Sequence, residues 1–248
     1  MDKEVKWIED GENDVDVEED QAANTDLFAE RVSEFELRFG DGNITLNVNG
    51  IKSKYPQFLQ STGLTLWKSS EILCSYLCDH PEIVQNKSVV ELGAGLGCAG
   101  IIGHKLGASK VVLTDGDTET LENMRHNVAA NVKQEVREEQ TDNETIICKQ
   151  LIWGNNMEAF MDNHAPSDGF DVVMGSDIIY VKEYVEVLFQ TVSALLSTTS
   201  LSLFLVSHMK RNPSLSFETV FACAKQNGFK WQAPEGNSEE GIYMFFRS

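Results

Sequence analysis

Apolar and polar positions along this chain follow two rhythms. Phe35-Glu-Leu-Arg-Phe39 alternates with a period of two, Gly40-Asp-Gly-Asn43 has turn chemistry, and Ile44-Thr-Leu-Asn-Val48 alternates again. This spacing predicts a β-hairpin, closed by Asn49-Gly50. Ile72, Leu73, Tyr76 and Leu77 recur at helical spacing and predict a helix from Lys68 to Cys78, with Pro81 just past its end. Largely apolar runs then appear at Val89 to Leu92, Val111 to Thr114, Thr145 to Leu151, Phe170 to Met174 and Leu201 to Val206. Such runs read as strands buried on both faces, as in a parallel sheet. Helical stretches separate several of them. One follows Cys98; the next, Asp117 to Asn131, carries Leu121, Met124 and Val128 inward; the last, Lys182 to Leu196, carries Val185, Leu188, Val192 and Leu195. A helix over Leu215 to Lys225 and two successive strands, Phe229 to Gln232 and Ile242 to Phe246, complete the pattern. The order predicts an α/β fold: a doubly wound, seven-stranded, mostly parallel sheet with a terminal β-hairpin, plus an N-terminal accessory hairpin over residues 35–51. No internal repeat is visible.

The first of the buried runs leads straight into Gly93, Gly95 and Gly97, and the second ends in Asp115. Strand, glycine turn, helix, strand and acid form a βαβ unit in which the backbone can approach a ligand closely. The acid lies where it could accept hydrogen bonds from both hydroxyls of a ribose. A nucleotide-like ligand is therefore expected. A dinucleotide fingerprint would place its third glycine at position 98, which is Cys98, and does not call for Glu91.

Composition narrows the partners. The 248-residue chain is 42% hydrophobic, enough for a sizeable core, and no run of about 18 apolar residues suggests a membrane span. Met1 is followed by Asp2, Lys3 and Glu4, so no secretory signal is expected. Five scattered cysteines (Cys74, Cys78, Cys98, Cys148 and Cys223) read as free thiols in a reducing compartment. Cys74 and Cys78 lie one helical turn apart, but no second pair accompanies them, so no metal site is expected. Net charge is −19, of which residues 1–30 carry −10. An acidic chain repels phosphate backbones, which argues against nucleic acid as a partner. Residues 1–34 read as an acidic, disordered extension that does not serve cofactor binding, or as a docking arm for a basic partner; residues 35–248 read as the folded domain.

The pattern Glu91-x-Gly93-Ala94-Gly95-x-Gly97 resembles motif I of the seven-β-strand methyltransferases, which bind S-adenosylmethionine. Gly63-x-x-x-Trp67 upstream, Leu151-x-Trp153-Gly154 downstream and Asp177-x-x-Tyr180 after the fourth run of the sheet resemble elements of family 16 of these enzymes, the methyltransferase-like 21 type protein-lysine methyltransferases. Lys68 stands where that family usually has proline. The resemblance covers about Thr62 to Tyr180. It implies a Rossmann-like methyltransferase fold, with Trp67 against the methionine part of S-adenosylmethionine and Trp153 near its adenine. Glu91 and Asp115 would face its amino-acid and ribose sides. Gly93, Ala94, Gly95 and the Ser176 backbone would complete the pocket. Read from the residues alone, Trp67 and Trp153 also fit plain core positions, and Asp177 and Tyr180 fit a helix cap and a packed ring.

Asp177 and Tyr180 are the candidate catalytic pair. Asp177 would hydrogen-bond an incoming amine and orient its lone pair; Tyr180 would wall the channel. His208, near the end of the fifth run, is a second candidate proton acceptor. The implied activity is S-adenosylmethionine-dependent N-methylation of a lysine on a soluble protein. The resemblance suggests a chaperone or a translation factor as that protein, and a monomeric enzyme in the cytoplasm, with the nucleus as a second compartment. Small-molecule N- or O-methylation, or cofactor-fold binding without turnover, are the alternatives.

Overall fold

A computed structural model describes residues 32–51, 62–132, 145–199, 201–210, 215–234 and 240–248. Residues 1–31 of the acidic extension and residues 133–144 of a polar stretch lie outside the described residues.

Strands β1 (Ser33–Phe39) and β2 (Ile44–Gly50) pair antiparallel as a separate two-stranded sheet. The main sheet has seven strands: β3 (Ser88–Glu91), β4 (Lys110–Asp115), β5 (Ile146–Gln150), β6 (Val172–Ser176), β7 (Leu203–His208), β8 (Phe229–Gln232) and β9 (Gly241–Arg247). Their order is β5-β4-β3-β6-β7-β9-β8; β3 to β7 pair parallel, and β9 pairs antiparallel with both β7 and β8. The helices are α1 (Lys68–Asp79), α2 (Cys98–Lys105), α3 (Thr118–Asn131), α4 (Met157–His164), α5 (Val185–Leu195) and α6 (Phe217–Gln226). The doubly wound sheet with its terminal and accessory hairpins is as the apolar pattern predicts.

Buried runs along the parallel strands distribute their side chains to two cores, because successive residues of a strand point to opposite faces. Val89, Val111, Leu113, Val172 and Met174 join the accessory hairpin, α1, α2 and α3 on one face. Val90, Val112, Val173, Phe204 and Val206 join α5 and α6 on the other, around a group of tilted and edge-on rings that includes Phe189, Phe229 and Phe245. Ser88 at the start of β3 donates from both its amide and its hydroxyl to Asp171 Oδ2, each at 2.8 Å, which ties β3 to the entry of β6. Arg247 donates to the carbonyls of Ser193, Leu196 and Ser197 and so caps the C-terminus of α5 with a cation.

Several element boundaries differ from the sequence expectation. The fourth apolar run spans Phe170 to Met174, but the strand is Val172–Ser176. Phe170 instead bridges Leu196, and Gly175 and Ser176, which look like turn residues, stay in register with Val206 and Ser207. The fifth strand is displaced in the same sense, to Leu203–His208. The stretch from Lys182 opens with a 3-10 turn, Lys182–Tyr184, before α5 begins. Helix α4 is not among the expected elements: it is short, and Phe160 is its one buried residue. Among the described residues, no helix is long and apolar enough to cross a membrane.

Candidate active site

The carboxyl ends of β3, β4 and β6 meet where the strand order reverses, the place where open α/β sheets bind ligands. A cavity of about 720 Å³ opens there, within the range of small-molecule sites. The glycine turn forms its floor. Gly93, Gly95 and Gly97 have φ of 57°, 55° and 81°, left-handed values that glycine adopts without a Cβ penalty. A Cβ at Gly95 would stand 3.1 Å from the carbonyl oxygen of Gly63, and one at Gly93 2.9 Å from Ile178. The turn is thus fitted between the Gly63 segment on one side and the segment after β6 on the other.

Asp115 closes β4 on the cavity wall. Its Oδ2 accepts from the amide of Gly95 at 3.2 Å, and its Oδ1 from the amide of Asp117 at 3.1 Å. Burial raises its pKa, against the lowering effect of these amides. Asp117 in turn caps α3, accepting from the amide and hydroxyl of Thr120. These bonds hold its own carboxyl below the ordinary range.

Trp67 sits at the N-cap of α1, and its indole Nε1 donates to the Thr62 carbonyl at 2.9 Å. That bond folds the Thr62–Trp67 segment into a wall of the cavity. Trp153 follows β5 and lines the same space, as do Ala94 and Ser176. Asp177 and Tyr180 complete it. Asp177 is buried, has φ of 59°, and donates its amide to the Ser207 carbonyl at 2.8 Å. Left-handed φ is tolerated by Asp and Asn far better than by most residues. Tyr180 is half-exposed at the mouth; burial, with the Asp115 charge and Tyr184 behind it, raises its hydroxyl pKa, so it remains a donor at neutral pH.

The structure therefore brings nine of the eleven candidate residues to one cavity. Glu91 and His208 are the exceptions. The expected place on the cofactor's amino-acid side is not the one Glu91 takes: it is fully buried beneath the turn, where Oε2 accepts from the amide of Gly100 in α2 at 2.7 Å. A strand buried on both faces does not reveal which face an acid takes, and here it is the face toward α2. Its Oε1 is buried without a partner among the described residues, and burial pushes its pKa up to about 8. The folded chain thus keeps a proton that the unfolded chain releases near the ordinary value of 4.5. Stability should fall as pH rises from about 4.5 through about 8. Glu91→Gln mimics the protonated form, so in urea melts it should gain stability over the wild type between pH 5 and 8, on the order of 4 kcal/mol. A constant difference across that range would contradict this.

His208 is not at the cavity either. It is buried against Phe217 and Tyr243, with ring centroids at 4.7 and 6.5 Å. Two wall residues escape a reading of the sequence. Thr65 is buried, and its Oγ1 has no partner among the described residues. Tyr184 is 55% exposed and closes the 3-10 turn that follows the Tyr180 segment. Thr65 is the middle of the Gly63-x-x-x-Trp67 element.

Three acidic residues, Asp115, Asp117 and Asp177, line the cavity, with both carboxylate oxygens of Asp177 buried, and no lysine, arginine or histidine is among its described lining residues. It suits a ribose diol and a cationic group, and its described residues offer no cationic side chain to a pyrophosphate. Residues 53–222, more than half of the chain, match the family described as lysine methyltransferase, methyltransferase family 16. The chain belongs to this family. It is 31% identical over 153 residues to a protein N-terminal and lysine N-methyltransferase, EFM7, of Cryptococcus neoformans, covering 61% of this chain and 48% of that one. It is 34% identical over 138 residues to the protein N-lysine methyltransferase METTL21A of Mus musculus, covering 56% and 57%. The matched region thus spans about half the length of these relatives. Among solved structures, a putative methyltransferase complexed with SAH superposes with a TM-score of 0.58 at 11% identity, covering 86% of this chain and 55% of that one. That likeness supports the family fold. The glycine turn, the acid at the end of β4 and the two tryptophans lie at one cavity of that fold, and Thr65 Oγ1 provides a buried polar atom for a ligand's use.

Proposed function

We propose that this protein transfers a methyl group from S-adenosylmethionine to a lysine amine of another protein. The observation that carries the reading is the lining of one cavity: a glycine turn and Asp115 at one end, Asp177 and Tyr180 at the other, with no cationic side chain among the described lining residues. Bound there, the cofactor supplies an electrophilic methyl on a sulfonium. Asp115 holds the ribose hydroxyls. The bare backbone of Gly93, Ala94 and Gly95 admits close approach. Trp67 and Thr65 face the methionine side, Trp153 and the Ser176 backbone the adenine side.

A lysine amine in water has a pKa near 10.4, so only about one in a few thousand is neutral at pH 7. Asp177 would accept a hydrogen bond from the incoming amine and orient its lone pair. Tyr180 presents its ring to the cation and its hydroxyl as a donor. Positioning of this kind supplies much of the rate. Three large apolar side chains, Ile152, Tyr180 and Tyr184, are exposed at the mouth and would receive a protein segment rather than a free metabolite. An α-amino terminus offers the same ammonium chemistry, which suits the relative described as acting on both. Family resemblance points to a chaperone or translation factor in the cytoplasm as the target, met by a monomeric enzyme.

Incubating the purified protein with cell lysate and methyl-labelled cofactor tests the reading. Label is expected on a discrete protein band. Label confined to the small-molecule fraction would instead indicate a small-molecule methyltransferase, and no transfer at all a binding protein.

A further inference from the structure

The accessory hairpin lies outside the main sheet, yet α3 grips it by its backbone. Asn123, Asn127 and Asn131 stand four residues apart on α3, one above the next on one face. Asn131 accepts from the amide of Asn47 at 2.8 Å and donates to its carbonyl at 2.6 Å. Asn127 does the same to Asn49, accepting at 2.7 Å and donating at 3.1 Å, and Asn123 adds a second donor to the Asn49 carbonyl. The side-chain amides pair with β2 as a neighbouring strand would.

Asn127 does more than its two neighbours. It is completely buried, and its Nδ2 also donates to the carbonyl of Leu96 at 3.0 Å. Leu96 belongs to the glycine turn and lines the cavity. One side chain therefore joins β2, α3 and the floor of the site. From Asn49 the chain runs on through Gly50, where a Cβ would meet Leu96 at 2.7 Å, to Ile51, whose amide donates to Leu64 at 2.7 Å. Leu64 lies inside the Thr62–Trp67 wall. The hairpin thus reaches the cavity floor at Leu96 and, through Ile51 just past β2, the Thr62–Trp67 segment at Leu64, a residue that does not itself line the cavity.

We propose that Asn127 is a positioning residue for the cofactor: it sets the accessory hairpin in register and thereby holds the glycine turn and the Thr62–Trp67 wall at the spacing the cofactor needs. This rests on the S-adenosylmethionine reading above. Asn127 does not line the cavity, so it acts only through Leu96 and β2. Asn131, at the outer end of the ladder, grips the same strand without touching the turn and serves as the control.

Two readouts separate positioning from plain stability. Calorimetry with S-adenosylhomocysteine, well below the melting temperature, should show affinity weakened at least tenfold in Asn127→Ala, with Asn131→Ala within twofold of the wild type. Hydrogen exchange on the ligand-free proteins should show faster exchange over residues 92–97 in Asn127→Ala than in Asn131→Ala. Asn127→Ser retains a polar atom and admits water. It should give the same pattern at smaller amplitude, and it stands in if the alanine variant does not fold. A folded Asn127 variant that melts at a lower temperature but binds and exchanges like the wild type overturns the proposal. If the wild type itself binds no S-adenosylhomocysteine, the cofactor reading fails. The exchange comparison then still decides the structural coupling: unchanged exchange over 92–97 refutes it, and faster exchange supports it.

Discussion

Asp115→Ala is expected to weaken S-adenosylmethionine binding by two orders of magnitude or more. The carboxylate stands at the tip of β4, half-buried, and does two things at once. It accepts from the amides of Gly95 and Asp117, which fixes the turn on one side and the entry to α3 on the other. It also faces the cavity, where a ribose would present two adjacent hydroxyls. A hydrogen bond to a charged group contributes about 1.5–3 kcal/mol, so two of them account for roughly a hundredfold to ten-thousandfold in affinity. Truncation leaves the Gly95 and Asp117 amides to water as well. Calorimetric titration of wild type and variant with S-adenosylhomocysteine measures this directly. A loss below about threefold would place the ribose elsewhere.

Asp177→Asn should abolish transfer while leaving cofactor affinity within about threefold. Asparagine is the informative replacement. The residue has φ of 59°, a conformation that asparagine shares readily with aspartate, whereas alanine there would add backbone strain of about 1–2 kcal/mol. The amide retains the shape and the backbone bond to Ser207 but can no longer act as a charged acceptor for an ammonium. General-base and orienting groups contribute typically 10²–10⁴-fold, and the effect should fall on the single-turnover rate, not on the dissociation constant. Tyr180→Phe keeps the ring and should cost no more than about tenfold, since the wall survives and only the hydroxyl is lost. Equal losses of binding in Asp177→Asn and Asp115→Ala would assign Asp177 to the cofactor half of the site.

Asp115 is legible in the sequence because it closes a buried apolar run, and Asp177 because the Asp177-x-x-Tyr180 element follows the fourth run; each sits at a strand end, which leaves few places for a side chain to go. The tryptophans are legible for a related reason: each is a large ring beside a turn, within an element recognisable by its spacing. Glu91 is misplaced by such a reading because every residue of Ser88–Glu91 is buried, so alternation carries no sign. The ladder of Asn123, Asn127 and Asn131 is invisible for the opposite reason. Polar residues at helical spacing look like a solvated face, and only the docked hairpin turns that face inward. The strand ends differ by two residues at β6 because Phe170 continues the apolar run without joining the ladder, while Gly175 and Ser176 join it despite their composition. Helix α4 has an apolar stripe of Met157, Phe160 and Met161, but eight residues are too few for it to stand out, and Thr65 lacks any pattern at all.

The central claim is that the cavity delivers a lysine amine to the methyl donor. Acid hydrolysis of the protein band labelled by the purified enzyme, followed by separation of the methylated amino acids, tests it most directly. The account predicts that the label co-migrates with methylated lysine and is absent when Asp177→Asn replaces the wild type. Label recovered as methylarginine, as a base-labile ester or only on an N-terminal residue would contradict it.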